Sequence, residues 1–404
     1  MKKTKQRVIA LDYFRGICIL LVLINHSFVF SVPFAYFAGA GGLWTSAAEM
    51  FFLLSGITFA IVRGSQIKDN FRLVLKKTMR RAVLIYLVYI MTVALSIVLS
   101  LYLTSHDFFN NIPGQLSTTL SPLALFASVL SFKYTAGWCD FLMYYTIFLA
   151  TAPVVYYALL SRLAALVPIF SAGLFMIYSL GVLPQGAYSS FALWQIYFVL
   201  GLTLIRFRPA ISSVVSALPA RLQHLAASGL VWGVCALMTL SYLLEHSVYP
   251  TVGRLASEGW LPVKLQAAYI HLLSYRPALD QLMLNDRAGV LRPLVAVLVA
   301  AAAFIVYKRH ESYLMATTGK FLNGFGRDTL WIFIAHAFAV PVLAALPLPR
   351  TLFINTLLIT SLILSMWALT QRRAVYKATQ IYWQDLKLSY NISKNNYLQS
   401  FDEN

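Results

Sequence analysis

The stretch LDYFRGICILLVLINHSFVF, residues 11–30, decides how the rest of the chain is read. It is apolar over about 20 residues, the length that crosses the hydrocarbon core of a bilayer. Yet it holds three ionisable side chains, Asp12, Arg15 and His26. Such groups in a membrane helix are costly and face the bundle interior or a polar cavity. Arg15 and His26 are eleven residues apart. At about 100° per residue, eleven steps make three turns plus roughly 20°, so both project from one face. At about 1.5 Å per residue they stand roughly 16 Å apart along the axis. One helix face therefore carries a fixed cation toward one side and a titratable imidazole toward the other.

The whole composition agrees with a membrane reading. Of 404 residues 59% are hydrophobic and 11% charged, and the mean hydropathy is +0.71. A soluble chain with so few charges would have too little polar surface to face water. The net charge of +18 would suit nucleic acid if it were clustered on one surface. Instead the basic residues sit in short segments between apolar spans, so nucleic acid is not an expected partner and lipid is. The opening MKKTKQR followed by an apolar run has the look of a signal peptide. Asp12 and Arg15 interrupt that run, and it is long enough to span, so it is read as a first membrane helix.

Ten spans of about 17–25 residues are expected, at approximately 9–31, 43–63, 81–103, 139–160, 164–183, 189–206, 224–245, 290–308, 328–346 and 351–371. The segment 120–134 is weaker and is read as interfacial or re-entrant. With the N-terminus inside, the inner segments hold 24 of the 32 Lys and Arg and the outer ones seven, Arg15 lying within the first span. That asymmetry predicts an all-α polytopic bundle with both termini cytoplasmic. Residues 1–371 form its membrane domain and 372–404 a basic, polar cytoplasmic tail. Two outer segments, 104–138 and 246–289, are long and rich in Pro, Tyr and Trp. Their aromatics suit sugar stacking, and also suit a membrane interface.

The motifs point further. ALDYFRGICILLVLINHS (10–27) resembles the first helix of the family-three membrane acyltransferases, marked by a basic residue, ten intervening residues and a histidine. AEMFFLLSGITFAIVRG (48–64) resembles their second helix. Four further segments are similar to the OpgC-type branch, which succinylates osmoregulated periplasmic glucans: WCDFLMYYTIFLATAPVVYYAL (138–159), ALWQIYFVLGL (192–202), DRAGVLRPL (286–294) and GRDTLWIFIAHAF (326–338). Val295-Ala296 stand where that branch would have a histidine. The resemblance implies a multi-pass enzyme of the bacterial inner membrane with no permanently bound cofactor. It implies an acyl-CoA co-substrate, succinyl-CoA in the nearest case, entering from the cytoplasm, and a periplasmic or envelope glycan as acceptor.

Acyl transfer to a hydroxyl needs a base to take the hydroxyl proton, and His26 is the candidate. Glu49, about six residues into the second span, should lie at the same depth and is expected to orient the imidazole, as the third group of a triad does. Arg15 is placed near the donor's phosphates or pantetheine arm, with Asp12, three residues earlier, holding the guanidinium when no donor is bound. Trp138 and Asp140 at the start of the fourth span, and Trp194 and Gln195 in the sixth, are candidates for an acceptor cleft; interfacial tryptophan is the plain alternative. His336, mid-span in the ninth helix, is a candidate for the donor tunnel. Lys76, Lys77, Arg80 and Arg81 serve topology and lipid headgroups or help attract CoA phosphates. Ser55-Gly56 reads as a small pair that lets helices approach. The remaining histidines and the three cysteines lack ligand spacing, so no metal is expected. The competing class is a glycan or lipid transporter with Arg15, His26 and Glu49 along its path. A CoA-dependent reaction separates the two; oligomeric state is not legible.

Overall fold

The computed structural model describes residues 9–27, 38, 43–102, 121–134, 137–183, 187–258, 260, 262–283 and 289–372. The expected tail beyond 372 and most of segment 104–138 lie outside these residues. Among the described residues every regular element is a helix and there is no strand. In chain order the main helices are α1 (Ile9–His26), α2 (Ala47–Asp69), α3 (Phe71–Tyr102), α4 (Pro122–Leu130), α5 (Asp140–Leu160), α6 (Leu166–Ser179), α7 (Ala187–Ala217), α8 (Ala220–Leu243), α9 (Tyr249–Ser257), α10 (Val263–Met283), α11 (Arg292–Arg309), α12 (Lys320–Arg327), α13 (Thr329–Ala345) and α14 (Leu352–Arg372).

Seven helical stretches are long and apolar enough to cross a membrane. The pair Arg292–Arg309 and Glu311–Arg327, bent by 89°, makes an eighth if it is one span. Each of the ten expected segments contains a helix among its described residues, but α6 and α13 are shorter than the helices of the other eight. At 14 residues and about 1.5 Å each, α6 is roughly 21 Å long, less than the ~30 Å of a hydrocarbon core. The chain is thus a helical membrane protein with seven to eight candidate spans. Leu84, Leu87, Met91, Leu95 and Val98 of α3 are all exposed. Their three- and four-residue spacing makes an apolar stripe of the kind that faces lipid.

Two regions differ from the reading of the sequence. Helix α3 begins ten residues before the expected span, so Lys76, Lys77, Arg80 and Arg81 are helical. Only Asn70 separates it from α2, and its side chain accepts from the Leu73 amide at 3.0 Å, starting the new helix. The outer segment expected after 246 is also largely helical, with α8 running through a π-turn into α9 as one stretch of 38 residues, Ala220–Ser257. The segment 120–134 holds α4, nine residues started by Ser121 and Pro122 and too short to cross.

The core is built on close backbone crossings. A methyl group at Gly56 of α2 would run into the Phe198 carbonyl of α7, and one at Gly201 of α7 into the Leu53 carbonyl of α2. Helices α1 and α12 meet the same way, through Gly16 against Leu322 and Gly326 against Asp12. That second crossing positions the site, because it sets the polar start of α1 on the turn that leads into α13.

Candidate active site

At one end of α1 three aromatic rings converge from three elements. His26 Nδ1 lies 2.8 Å from His336 Nε2. The face of the His26 ring stacks on Trp138, with centroids 4.3 Å apart and planes within 6°. His336 is on α13 and fully buried, and its Nδ1 lies 3.2 Å from the Ile332 carbonyl one turn back. Trp138 sits in the 3₁₀ turn Gly137–Cys139 that opens α5. An imidazole held by one edge and one face can turn little, and its second nitrogen, Nε2, lies outside both contacts.

Along α1, from Asp12 to Val22, runs a cavity of about 420 Å³. Arg15, Arg81 and Arg327 line it, with Asp12 and Asp328. Three cations against two anions leave positive charge in a cleft walled by apolar residues, which draws an anionic ligand. Arg327 is partly engaged, through Asp328 at 3.6 Å and the Thr370 carbonyl at 3.3 Å. The Nε of Arg15 is buried with no hydrogen-bond partner among the described residues. A buried guanidinium donor left open is expensive without a ligand to fill it. The cavity's apolar wall includes Val22, Phe141 and Phe333. These lie four, three and three residues from His26, Trp138 and His336. Each ring of the cluster therefore stands three or four residues along the chain from a residue that lines the cavity.

Glu49 is not part of this arrangement. The structure corrects the expected pairing: the His26 ring is bonded to His336, and the Glu49 carboxylate is engaged by other groups. Its Oε1 accepts from Arg292 Nε at 2.7 Å and from the Tyr197 hydroxyl at 3.1 Å. Its Oε2 accepts from the Thr45 hydroxyl at 2.9 Å and the Ser46 amide at 2.7 Å, the latter half of a capping box that opens α2. Arg292 also donates to the Met283 carbonyl at 2.9 Å and to that of Leu43. Both charges are 1% exposed. This cluster ties the starts of α2 and α11 to α7 and to the end of α10.

The other expected residues divide in the same way. Asp12 and Arg15 line the cavity together. Trp138 joins the ring cluster, and so does His336, which is not among the residues lining the cavity. Asp140 accepts from the Phe141 amide at 2.7 Å at the start of α5. Gln195 is buried, accepting from the Ser171 hydroxyl at 2.6 Å and donating to the Ser171 carbonyl at 2.8 Å and the Ala192 carbonyl at 3.2 Å, so both of its N–H groups are engaged within the protein. Trp194 packs between Phe52 and Tyr144. Reading the sequence missed Arg327 and Asp328 at the cavity, and Arg292 and Tyr197 at Glu49. The Ser46-x-x-Glu49 pattern was the available signal that Glu49 starts a helix.

The sequence pattern of the OpgC protein family matches residues 7–378. The chain belongs to the OpgC family. No curated protein and no solved structure matches it. The match takes in both ends of α1, the cavity and the ring cluster, so the site lies inside the part of this OpgC-family chain that defines the family. Membership in this family suggests an acyltransferase-like membrane enzyme.

Proposed function

We propose that the chain is an inner-membrane O-acyltransferase that moves an acyl group, succinyl in the nearest case, from acyl-CoA to a hydroxyl of a periplasmic or envelope glycan. One observation carries the reading. The open Arg15 Nε and the His26 ring lie at opposite ends of one helix face, and the cavity between them is lined by residues three or four along the chain from each ring of the cluster. Both termini face the cytoplasm in this reading, so the donor enters at the arginine end and the acceptor at the His26 end.

Arg15, with Arg81 and Arg327 beside it, binds donor oxygens carrying negative charge. His26 Nε2 takes the proton from the acceptor hydroxyl as its oxygen attacks the thioester carbonyl carbon. The C–O bond forms, the C–S bond breaks, and the departing thiolate takes the proton back from Nε2. The products are a glycan ester and free CoA, and His26 returns to neutral. The imidazolium formed in between is stabilised by the Trp138 face beneath it.

Mass spectrometry of envelope glycans from cells with and without the gene tests this reading. The expected result is a glycan that carries an ester-linked acyl mass only when the gene is present, and loses it in His26→Ala cells that make the protein at normal levels. Glycans of identical mass in both strains would overturn it.

A further inference from the structure

The contacts of His336 have a direction that its position on α13 alone would not give. A carbonyl oxygen can only accept a hydrogen bond. The Ile332 carbonyl 3.2 Å from His336 Nδ1 therefore favours a proton on that nitrogen. In a neutral imidazole the other nitrogen is then an acceptor. His336 Nε2, 2.8 Å from His26 Nδ1, must then accept a hydrogen bond from an N–H on that nitrogen. In turn the neutral His26 ring is protonated at Nδ1 and bare at Nε2. The chain of donors runs one way, from His26 through His336 to a backbone carbonyl.

We propose that His336 is a positioning residue that fixes the tautomer of His26, so that the lone pair sits on the nitrogen turned away from the pair. The inference rests on the assignment of His26 as the base and deepens it. In a Ser-His-Asp triad a carboxylate does this work. Here a second imidazole, fully buried and anchored to its own helix, does it without bringing a second charge into the bundle. When His26 takes a proton at Nε2, its Nδ1–H remains donated to His336, and neither bond of the relay has to reverse.

Two measurements test it. Solid-state NMR of the protein with ¹⁵N-labelled histidine, in liposomes at neutral pH, reads which ring nitrogens are protonated, and loss of one signal set in His26→Gln assigns His26. The expected result is a protonated Nδ1 and a bare Nε2; a protonated Nε2 with a bare Nδ1 would overturn the proposal. This readout does not depend on turnover, so it stands or falls separately from the acyltransferase reading. The second compares His336→Gln, whose side-chain oxygen can still accept from Nδ1, with His336→Leu, which cannot. The Leu variant should lose about 10–100-fold in kcat with the KM for acyl-CoA unchanged, and the Gln variant should recover most of that loss. Equal rates in the two variants would overturn it.

Discussion

Two of the buried polar clusters among the described residues, that of Glu49 and that of His26, are built on opposite principles. The Glu49 cluster is an ion pair with every oxygen of the carboxylate bonded twice and the guanidinium shared with two carbonyls. The His26 cluster is held by one hydrogen bond between side chains and by ring stacking, and those contacts leave His26 Nε2 unused. A saturated ion pair has nothing to give to a substrate. It fixes where helices begin. An unsaturated pair of rings, backed by a tryptophan, keeps a lone pair available and lets one ring gain a proton without a charge already beside it. In the proposed reading the first cluster builds the membrane bundle and the second does the chemistry.

The comparison can be broken first at the rings. If they do the chemistry, His26→Ala should lower the rate of acyl transfer per folded molecule by about 10²–10⁴-fold while the thermal transition of the purified protein stays in place. A variant that transfers at the wild-type rate would remove His26 from the mechanism. The ion pair gives the next largest effect, and on a different axis. Arg292→Met leaves Glu49 as a buried, uncompensated charge, which should cost about 3–5 kcal/mol of stability. The double variant Glu49→Leu with Arg292→Met should recover much of that loss, because the two residues act as one unit. Unfolding midpoints in detergent read both; single and double variants of equal stability would show that the pair is not coupled. The smallest effect sharpens the contrast. Trp138→Leu removes the ring face beneath the imidazolium, worth about 0.5–2 kcal/mol, so kcat should fall roughly two- to thirtyfold. The acyl-CoA KM should not change. A raised acyl-CoA KM with normal kcat would instead place Trp138 in donor binding.

What could be read from the sequence followed the range of the interactions. The Arg15/His26 face was legible because a helix converts a spacing of eleven residues directly into geometry. The all-helical bundle was legible for the same reason, from runs of apolar residues long enough to span. The partners of these residues were not. His336 is 310 residues from His26, and Arg292 is 243 from Glu49; no local period links either pair. Counting steps into neighbouring spans gave Glu49 a depth, but depth says nothing of the direction a side chain takes around its helix. The Ser171 contact of Gln195, across 24 residues and two helices, was equally out of reach. Arg81 was visible as part of a basic cluster. Its place at the cavity followed only once α3 was seen to start at Phe71 and carry it on a helix.

The central claim is that a thioester is exchanged for an ester inside this bundle. It is tested most directly in proteoliposomes holding the purified protein, acyl-CoA labelled in the acyl group, and glycan on the opposite side of the membrane. The account predicts that label appears on the glycan as an ester, that one free CoA thiol appears for each ester formed, and that Arg15→Ala slows both together. Glycan that crosses the membrane unacylated, with no thiol released, would contradict it and make the chain a transporter.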